Sequence, residues 1–378
     1  MFSKFLIVSC LLYPAIAGDV VVHEWGTFTS VAGERGEPVS WVALSAPSDL
    51  PCFVHRLSAQ CVKCNATSPV RMETPVLYFY SPGPATVSVH VELPSGVITE
   101  WYPKATGLPR DVTYGNGGKI DWGPVQIAPG TAPEFLSDGS DSHYYPARNT
   151  DSAPLRVDNE QEKLLFYRGV ANQGVAIEAQ FQPDGKLELR NDANTSLPFA
   201  VLFENRGGKT GYRVVRNLDR WTALDPTELT ASVASLHREF AAALTKAGLY
   251  EKEAAAMIDT WRDSWFEEGM RVFYILPRAT VDETLPMKIT PAPAATVRVF
   301  VGRVEILSPA MKESLASALA SGDTATLERC GRFLPAFQPR IRKVVMSPAA
   351  RAFIDSMRAQ NTNRVSPCKE PLSLPTNQ

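Results

Sequence analysis

Four side chains of the kinds that bind zinc or copper lie close together in the first part of the chain. They are Cys52, His55, Cys61 and Cys64. The two-residue gaps between Cys52 and His55 and between Cys61 and Cys64 let each pair converge on one tetrahedral ion. In an oxidising compartment, however, such cysteines more often form disulfides. The sequence therefore favours a disulfide between Cys52 and either Cys61 or Cys64. A zinc or copper site is the first alternative, and a redox-active Cys61–Cys64 pair is the second.

Two further cysteines, Cys330 and Cys368, lie in the C-terminal part of the chain. A disulfide between them would close a loop of about 38 residues, which the chain-entropy model values at roughly 4 kcal/mol. Such a bond would hold the C-terminal tail against the rest of the protein. We therefore predict a structural disulfide between Cys330 and Cys368.

Histidines and nearby carboxylates are the other candidates for a binding site. The chain has five histidines, and His23 and His143 are the two with aromatic neighbours in sequence. Histidine titrates near neutral pH and is a common metal ligand, so both are candidate functional residues. Glu24 and Glu73 are candidate carboxylates for the same site. On a regular strand His23 and Glu24 point to opposite faces, so adjacency alone does not make them a pair.

The segment of residues 261–269 carries the sequence Trp-Arg-Asp-Ser-Trp-Phe-Glu-Glu-Gly. Its paired carboxylates, Glu267 and Glu268, have the chemistry for acid–base catalysis. The simpler interpretation is that Trp261 and Trp265 pack into the core while the charged residues face water. The sequence favours the simpler interpretation, and the chain contains none of the short catalytic motifs that name a reaction.

Composition and the N-terminus indicate an exported globular protein. The 378 residues carry a formal net charge of -2, so charge gives no argument for binding to nucleic acid or to an anionic membrane. Lys4, an apolar stretch at residues 5–13 and the triplet Ala15-Ile16-Ala17 form a signal peptide at residues 1–18, with cleavage near Ala17. No later apolar stretch is long enough for a transmembrane segment. We therefore expect a secreted or periplasmic protein.

Residues 19–220 have the pattern of an antiparallel β-sandwich domain. Short stretches of alternating apolar and polar residues are separated by turn-forming residues, which is typical of strands with one buried face. The clearest region is residues 72–102, where three predicted strands with two tight connections indicate a meander. The Gly- and Pro-rich segment of residues 103–154 is predicted to be a long loop.

Residues 221–378 have a different pattern and are predicted to form a mixed α+β domain. Asp225 followed by Pro226 and Glu228 is a strong helix start, and a second helix is expected over residues 251–268. Strands follow at residues 270–276 and around Val297, with further helices after Ser308, Asp323 and Ser347. The predicted fold class is thus α+β, with the domain boundary near residue 221.

Three sequence motifs resemble those of a family of secreted bacterial proteins of uncharacterised activity. They are His-Glu-Trp-Gly-Thr-Phe-Thr at residues 23–29, Met-Glu-Thr-Pro-Val-Leu-Tyr-Phe-Tyr at residues 72–80 and the 261–269 segment. The resemblance covers most of the mature chain and implies an exported bacterial protein. It implies no activity and no site residues.

Two functional hypotheses follow. In the first, the protein is a disulfide-stabilised β-sandwich that binds a ligand or a surface partner through the loops of its first half, because long loops often carry function. In the second, it is a metal-dependent envelope enzyme with zinc or copper. The metal would be held either by Cys52, His55, Cys61 and Cys64 or by a histidine site that includes His23 and His143.

Overall fold

The computed structural model describes residues 19–42, 50–57, 67–108, 117–173, 176–193, 195–360 and 368. These residues form a mixed α+β fold, as predicted. The strands are β1 (Val21–Val31), β2 (His55–Arg56), β3 (Val70–Tyr80), β4 (Ala85–Leu93), β5 (Gly96–Tyr102), β6 (Gly118–Ile127), β7 (Leu155–Val157), β8 (Glu160–Glu162), β9 (Leu165–Ala171), β10 (Ile177–Phe181), β11 (Leu187–Asn191), β12 (Leu197–Arg206), β13 (Lys209–Leu218), β14 (Trp221–Leu224), β15 (Gly269–Ile275), β16 (Met287–Thr290) and β17 (Ala295–Ile306). The α-helices are α1 (Val233–Lys246), α2 (Glu251–Thr260), α3 (Arg278–Thr284), α4 (Pro309–Ser321), α5 (Thr324–Arg329), α6 (Leu334–Phe337) and α7 (Pro348–Gln360).

A nine-stranded sheet forms the centre of the protein. Its strand order is β13-β12-β15-β17-β1-β3-β9-β5-β2. The central pair, β1 and β17, is parallel, and the other pairs are antiparallel. Strands β15 and β17, which lie beyond the predicted domain boundary near residue 221, are therefore in the same sheet as seven strands from before that boundary.

One face of the central sheet packs against two smaller sheets. These have the strand orders β16-β4-β6-β7-β8 and β10-β11-β14. Apolar side chains from all three sheets, such as Val89, Leu189 and Phe300, form one continuous buried cluster. Burial of this apolar area is the main favourable contribution to folding on this side of the molecule.

Helices α1 and α2 cover the other face, which we call the helix-facing side. Leu236, Phe240 and Leu244 recur along α1 at helical spacing, and they pack with Val301 and Phe273 of the central sheet. Helices α4 to α7 form a third cluster with Val31, Trp41 and Val170, near one end of the central strands. Within the described residues, no helix is both long and apolar enough to cross a membrane.

The three strands predicted within residues 72–102 are present, but they do not form a meander. β3 and β5 both pair with β9 in the central sheet, whereas β4 pairs with β6 and β16 in a smaller sheet. β3 is buried on both faces, which is typical of an interior strand. β4 buries only alternate residues, which suits a strand in an outer layer. The consecutive strands β10 and β11, and likewise β12 and β13, pair as antiparallel hairpins.

Two predicted helix ends differ from the structure. α1 begins after its N-cap Ser232, not after Asp225. The Ala231 backbone N–H donates to the Thr210 carbonyl oxygen, and the Thr210 hydroxyl donates to the Ala231 carbonyl oxygen. These two hydrogen bonds hold the segment before α1 against β13, so the helix starts later than predicted. α2 ends at Thr260, not at Glu268. Helices α4, α5 and α7 begin after Ser308, Asp323 and Ser347 as predicted.

The cysteine pairing differs from both predicted pairings. Cys368 forms a disulfide with Cys52, and their Cα atoms lie 5.1 Å apart. Cys330 is instead a buried free thiol that packs among α4, α5 and α7 and donates a weak hydrogen bond to the Thr326 carbonyl oxygen. Burial raises the pKa of the Cys330 thiol to about 11. The C-terminal tail is therefore linked to the N-terminal half of the chain, which spacing along the sequence does not indicate.

Candidate functional site

A buried histidine–carboxylate pair lies where the start of β1, the end of β3 and the first turn of α2 meet. The Glu253 carboxylate accepts hydrogen bonds from His23 Nδ1 (2.8 Å), the Tyr80 hydroxyl (2.9 Å) and the Tyr250 backbone N–H (2.7 Å). A carboxylate only accepts, so Nδ1 carries the proton in the His23 bond. His23 is 2% exposed and Glu253 is 0% exposed. This pair joins the first strand to a helix that is remote in sequence.

Tyr80 connects this pair to the protein surface. Burial raises the pKa of the Tyr80 hydroxyl, and the negative charge of Glu253 raises it further. Tyr80 is therefore a neutral phenol at physiological pH. Its hydrogen is used in the bond to Glu253, so its oxygen remains as a hydrogen-bond acceptor.

A surface cleft of about 470 Å³ opens beside Tyr80. Its polar lining includes Asp19, Tyr80, Ser81, Thr131, Ser152 and Lys163. Two of these hydroxyl groups donate their hydrogens within the protein: Ser81 to the Gly83 carbonyl (2.5 Å) and Thr131 to the Ala128 carbonyl (2.7 Å). The cleft therefore presents hydroxyl oxygens mainly as acceptors.

Among the described residues, only one of the three charged groups of the cleft forms an ion pair. Asp151, also in the lining, forms an ion pair with Lys252 (2.5 Å). In the parts of the chain that the structure describes, neither the Asp19 carboxylate nor the Lys163 ammonium forms an ion pair. These two groups are available to a ligand.

Glu24 lies on the opposite face of β1 from His23, as predicted. Its carboxylate accepts hydrogen bonds from Arg298 Nε (2.5 Å) and the Tyr167 hydroxyl (2.6 Å), and all three side chains are buried. Arg298 also binds Asp282 of α3. Glu24 therefore links three parts of the fold and does not line the cleft.

Glu73 is buried on the helix-facing side of β3. Its carboxylate accepts hydrogen bonds from Thr29 (2.7 Å) and from two nitrogens of Arg332, and it forms an ion pair with Arg71 (3.1 Å). Burial alone would raise the pKa of the Glu73 carboxyl. The positive charges of Arg332 and Arg71 outweigh burial and hold the pKa well below its usual range.

Glu73 belongs to a larger group of charged side chains, most of them buried, that we call the arginine layer. The layer crosses the helix-facing side of the central sheet between the second and third apolar clusters. It consists of Arg71, Arg168, Arg271, Arg303 and Arg332 with Glu73, Glu267 and Glu305. Besides the Arg332–Glu73 pair, the layer contains the ion pairs Arg303 Nε with Glu305 (2.5 Å), Arg271 Nε with Glu305 (2.8 Å) and Arg303 Nη2 with Glu267 (2.8 Å).

The three sequence motifs that carry the family resemblance meet at the arginine layer. Residues 23–29 contribute Thr29, and residues 72–80 contribute Glu73. The 261–269 segment contributes Glu267, and its carbonyl oxygens at Trp265, Glu267 and Glu268 accept hydrogen bonds from Arg271 (2.7–2.9 Å). Arg271 thereby holds the segment that follows α2 against the central sheet.

Glu267 and Glu268 have structural partners rather than a shared catalytic site. Glu267 binds Arg303, and the Glu268 carboxylate accepts hydrogen bonds from the Gly207 backbone N–H (3.0 Å). Trp261 and Trp265 are buried and stacked on each other, as the simpler interpretation predicted. The arginines themselves were missed by the sequence analysis. An arginine inside an otherwise apolar strand could have identified them. Arginine is almost never fully buried without a partner, so such a position indicates a buried ion pair.

The remaining predicted site residues are not brought together. His143 Nε2 lies 3.1 Å from Asp263, and His55 Nε2 lies 2.9 Å from Glu160. Cys52 is part of a disulfide and so cannot supply a thiolate, while Cys61 and Cys64 lie outside the described residues. Within the described ranges, no three His, Cys, Asp or Glu side chains are grouped closely enough to hold a metal ion. A metal site of the predicted Cys/His type would therefore need ligands other than Cys52.

Comparison of the chain with known families and with curated proteins adds no assignment. No family model matches the chain, and no curated protein matches it. The geometry described above is therefore the basis of the functional proposal that follows.

We expect Glu73→Gln to destabilise the protein by about 3–5 kcal/mol at neutral pH, because it removes the negative charge that faces the Arg332 and Arg71 guanidinium groups. The folded pKa of Glu73 is depressed, so its contribution is present above the unfolded value of 4.5 and is lost as the pH falls below that value. Urea unfolding from pH 7 to pH 3 will measure both effects. The wild type should lose stability faster than the variant as the pH falls; parallel curves would contradict this assignment.

Proposed function

We propose that the protein is an exported binding protein that takes a small polyhydroxylated ligand, of the carbohydrate class, in the cleft beside Tyr80. The observation that carries this proposal is the orientation of the hydroxyl groups in the lining. The hydrogens of Tyr80, Ser81 and Thr131 are donated inward, so their oxygens can only accept from a ligand. A ligand with many O–H donors complements such a surface.

The Asp19 and Lys163 charges, which form no ion pair among the described residues, support the same class of ligand. The Asp19 carboxylate accepts hydrogen bonds from hydroxyl groups, and the Lys163 ammonium donates to them. A sugar carries adjacent hydroxyls that donate and accept at once. Hydrogen bonds to charged groups contribute roughly 1.5–3 kcal/mol each, so these two residues should dominate the affinity.

The size and position of the cleft also support a binding role. Its volume of about 470 Å³ lies within the roughly 300–1,000 Å³ typical of small-molecule sites. Part of its wall, residues 129–131 and 151–154, comes from the segment of residues 103–154, which the sequence predicts as one long loop but which contains strand β6 and a short 3-10 helix. The other part comes from the ends of β1 and β3, which the sheet holds rigidly.

The ligand proposal can be tested with a panel of monosaccharides and oligosaccharides, with short peptides for comparison, measured by isothermal titration calorimetry on the mature chain. We expect saturable binding of at least one saccharide. Lys163→Met and Asp19→Asn should each weaken that binding about 10- to 100-fold, because each removes one charge-assisted hydrogen bond. The melting temperature should stay unchanged, since neither residue has an ion-pair partner to lose among the described residues.

Matched controls are available on the surface away from the cleft. Lys104 and Asp158 form a loose, exposed pair at 3.8 Å, so Lys104→Met and Asp158→Asn make the same chemical changes. These variants should bind like the wild type. Absence of saccharide binding by the wild type, or equal losses in the controls, would refute the proposal.

Export is supported by the predicted signal peptide at residues 1–18 and by the Cys52–Cys368 disulfide, because disulfides persist in oxidising compartments. Mass spectrometry of protein purified from the exported fraction should find an N-terminus at Gly18 or Asp19. A non-reducing peptide map should link the Cys52 peptide to the Cys368 peptide. An intact N-terminus in a cytoplasmic, fully reduced protein would argue against export.

A further inference from the structure

The outer face of the small β10-β11-β14 sheet carries an exposed tryptophan. The inner face of this sheet packs into the core through residues such as Leu189 and Leu224. Trp221, at the start of β14, is 55% exposed and is the most exposed aromatic side chain among the described residues. Single apolar side chains are common on protein surfaces. What Trp221 can bind therefore depends on its neighbours.

Trp221 is held in place by an arginine that is itself held by two carboxylates. The strand registers pair Glu178 with Arg190 and Arg190 with Trp221, so these three side chains form one row across the outer face. The Arg190 Cζ atom lies 5.9 Å from the centroid of the indole ring, which is a cation–π contact. Arg190 Nη2 forms ion pairs with Glu178 (2.7 Å) and Asp192 (2.9 Å). A ring fixed in this way loses little side-chain entropy when a ligand covers it.

A second row of outward side chains borders the indole ring. Gln180, Glu188 and Ala223 form this row, and each lies two residues along its strand from a member of the first row, on the same face. Ala223 is exposed and small, so it leaves open space beside Trp221, roughly 7 Å along the strand. The Gln180 amide donates and accepts hydrogen bonds, and the Glu188 carboxylate accepts them. The outer face thus combines one exposed aromatic ring with hydrogen-bonding groups beside it.

We infer that this outer face binds an uncharged polysaccharide, with one pyranose ring stacked on Trp221. A pyranose ring has an apolar face of C–H groups, which covers an aromatic ring, and a rim of hydroxyl groups, which form hydrogen bonds with polar side chains. This site shares no residue with the cleft beside Tyr80, and the inference does not depend on the ligand proposed there.

The shape and charge of the outer face favour this ligand over others. Small molecules bind in concave clefts, whereas an open sheet face suits a polymer that lies across the strands. A protein partner would bury a core of several apolar side chains, but Trp221 is the only large apolar side chain among the described residues that this face exposes. The carboxylates of Glu178, Glu188 and Asp192 outnumber the guanidinium of Arg190, which disfavours an acidic polymer.

Affinity electrophoresis tests the site directly. The mature wild-type protein would be run in native gels that contain hydroxyethyl cellulose, galactomannan or glycol chitin, which are uncharged, or polygalacturonate, which is acidic. We expect at least one uncharged polymer to slow the wild type, and polygalacturonate to have no effect. Trp221→Ala should weaken the binding at least about 10-fold, because truncation of a central aromatic side chain removes most of the contact. The melting temperature should stay unchanged, since Trp221 is exposed.

Matched controls separate stacking on Trp221 from non-specific adsorption. Val345→Ala truncates another exposed apolar side chain, in the segment between α6 and α7, and should bind like the wild type. Arg190→Gln should weaken the binding about 2- to 5-fold, because the indole ring loses its cation–π contact. Arg216→Gln changes an exposed arginine that also pairs with a carboxylate, and it should have no effect.

Tryptophan fluorescence gives an independent readout. Of the other six tryptophans, five are at most 2% exposed and Trp101 is partly buried, so acrylamide should quench mainly Trp221. A polymer that covers Trp221 should reduce this quenching. Trp221→Phe should remove the effect of the polymer on quenching, because the accessible indole is gone.

The inference would be overturned if no uncharged polymer slowed the wild type, or if Trp221→Ala were slowed as much as the wild type. Equal losses in Val345→Ala would show non-specific adsorption and would also overturn it. Sedimentation velocity tests the remaining alternative, a second copy of the chain on this face. A dimer that Trp221→Ala converts to a monomer would overturn the inference, because the second copy would then cover Trp221.

Discussion

The structure depends on the pairing of buried arginines with a limited number of carboxylates. Arginine cannot lose its charge, so each guanidinium that enters the interior must find acceptors there. Arg271, Arg303 and Arg332 find them on Glu305, Glu267 and Glu73, which come from three separate parts of the chain. This requirement fixes the position of the 261–269 segment and of the turn that carries Arg332 against the central sheet.

The strand pair β1–β3 relates this layer to the candidate binding site. Its register pairs Thr29 with Arg71 at one end and Val21 with Tyr80 at the other. The arginine layer therefore holds one end of the pair, while the opposite end supplies Val21 and Tyr80 to the cleft. A rigid layer of ion pairs at one end leaves the other end well positioned, which is what a preorganised binding site requires.

Local sequence patterns predicted most of the secondary structure and part of the site. Alternation identified the strands around Val89 and Val299, and capping residues located the starts of α4, α5 and α7. The separation of His23 from Glu24 by the strand geometry was also predicted. Pairing between distant segments was not predictable, because it depends on contacts such as Glu253 with His23 and Cys368 with Cys52, which no local pattern encodes. The placement of β3 and β4 in two different sheets was not predicted for the same reason, because it also depends on pairing with distant strands.

A double-mutant cycle on Glu73 and Arg332 tests most directly whether the arginine layer joins distant segments of the chain. The free energy of unfolding would be measured for the wild type, Glu73→Gln, Arg332→Gln and the double variant. Because the two side chains make a direct, buried contact, we expect a coupling free energy above about 1 kcal/mol. Effects of the two substitutions that add within about 0.5 kcal/mol would show independent sites and would contradict the account.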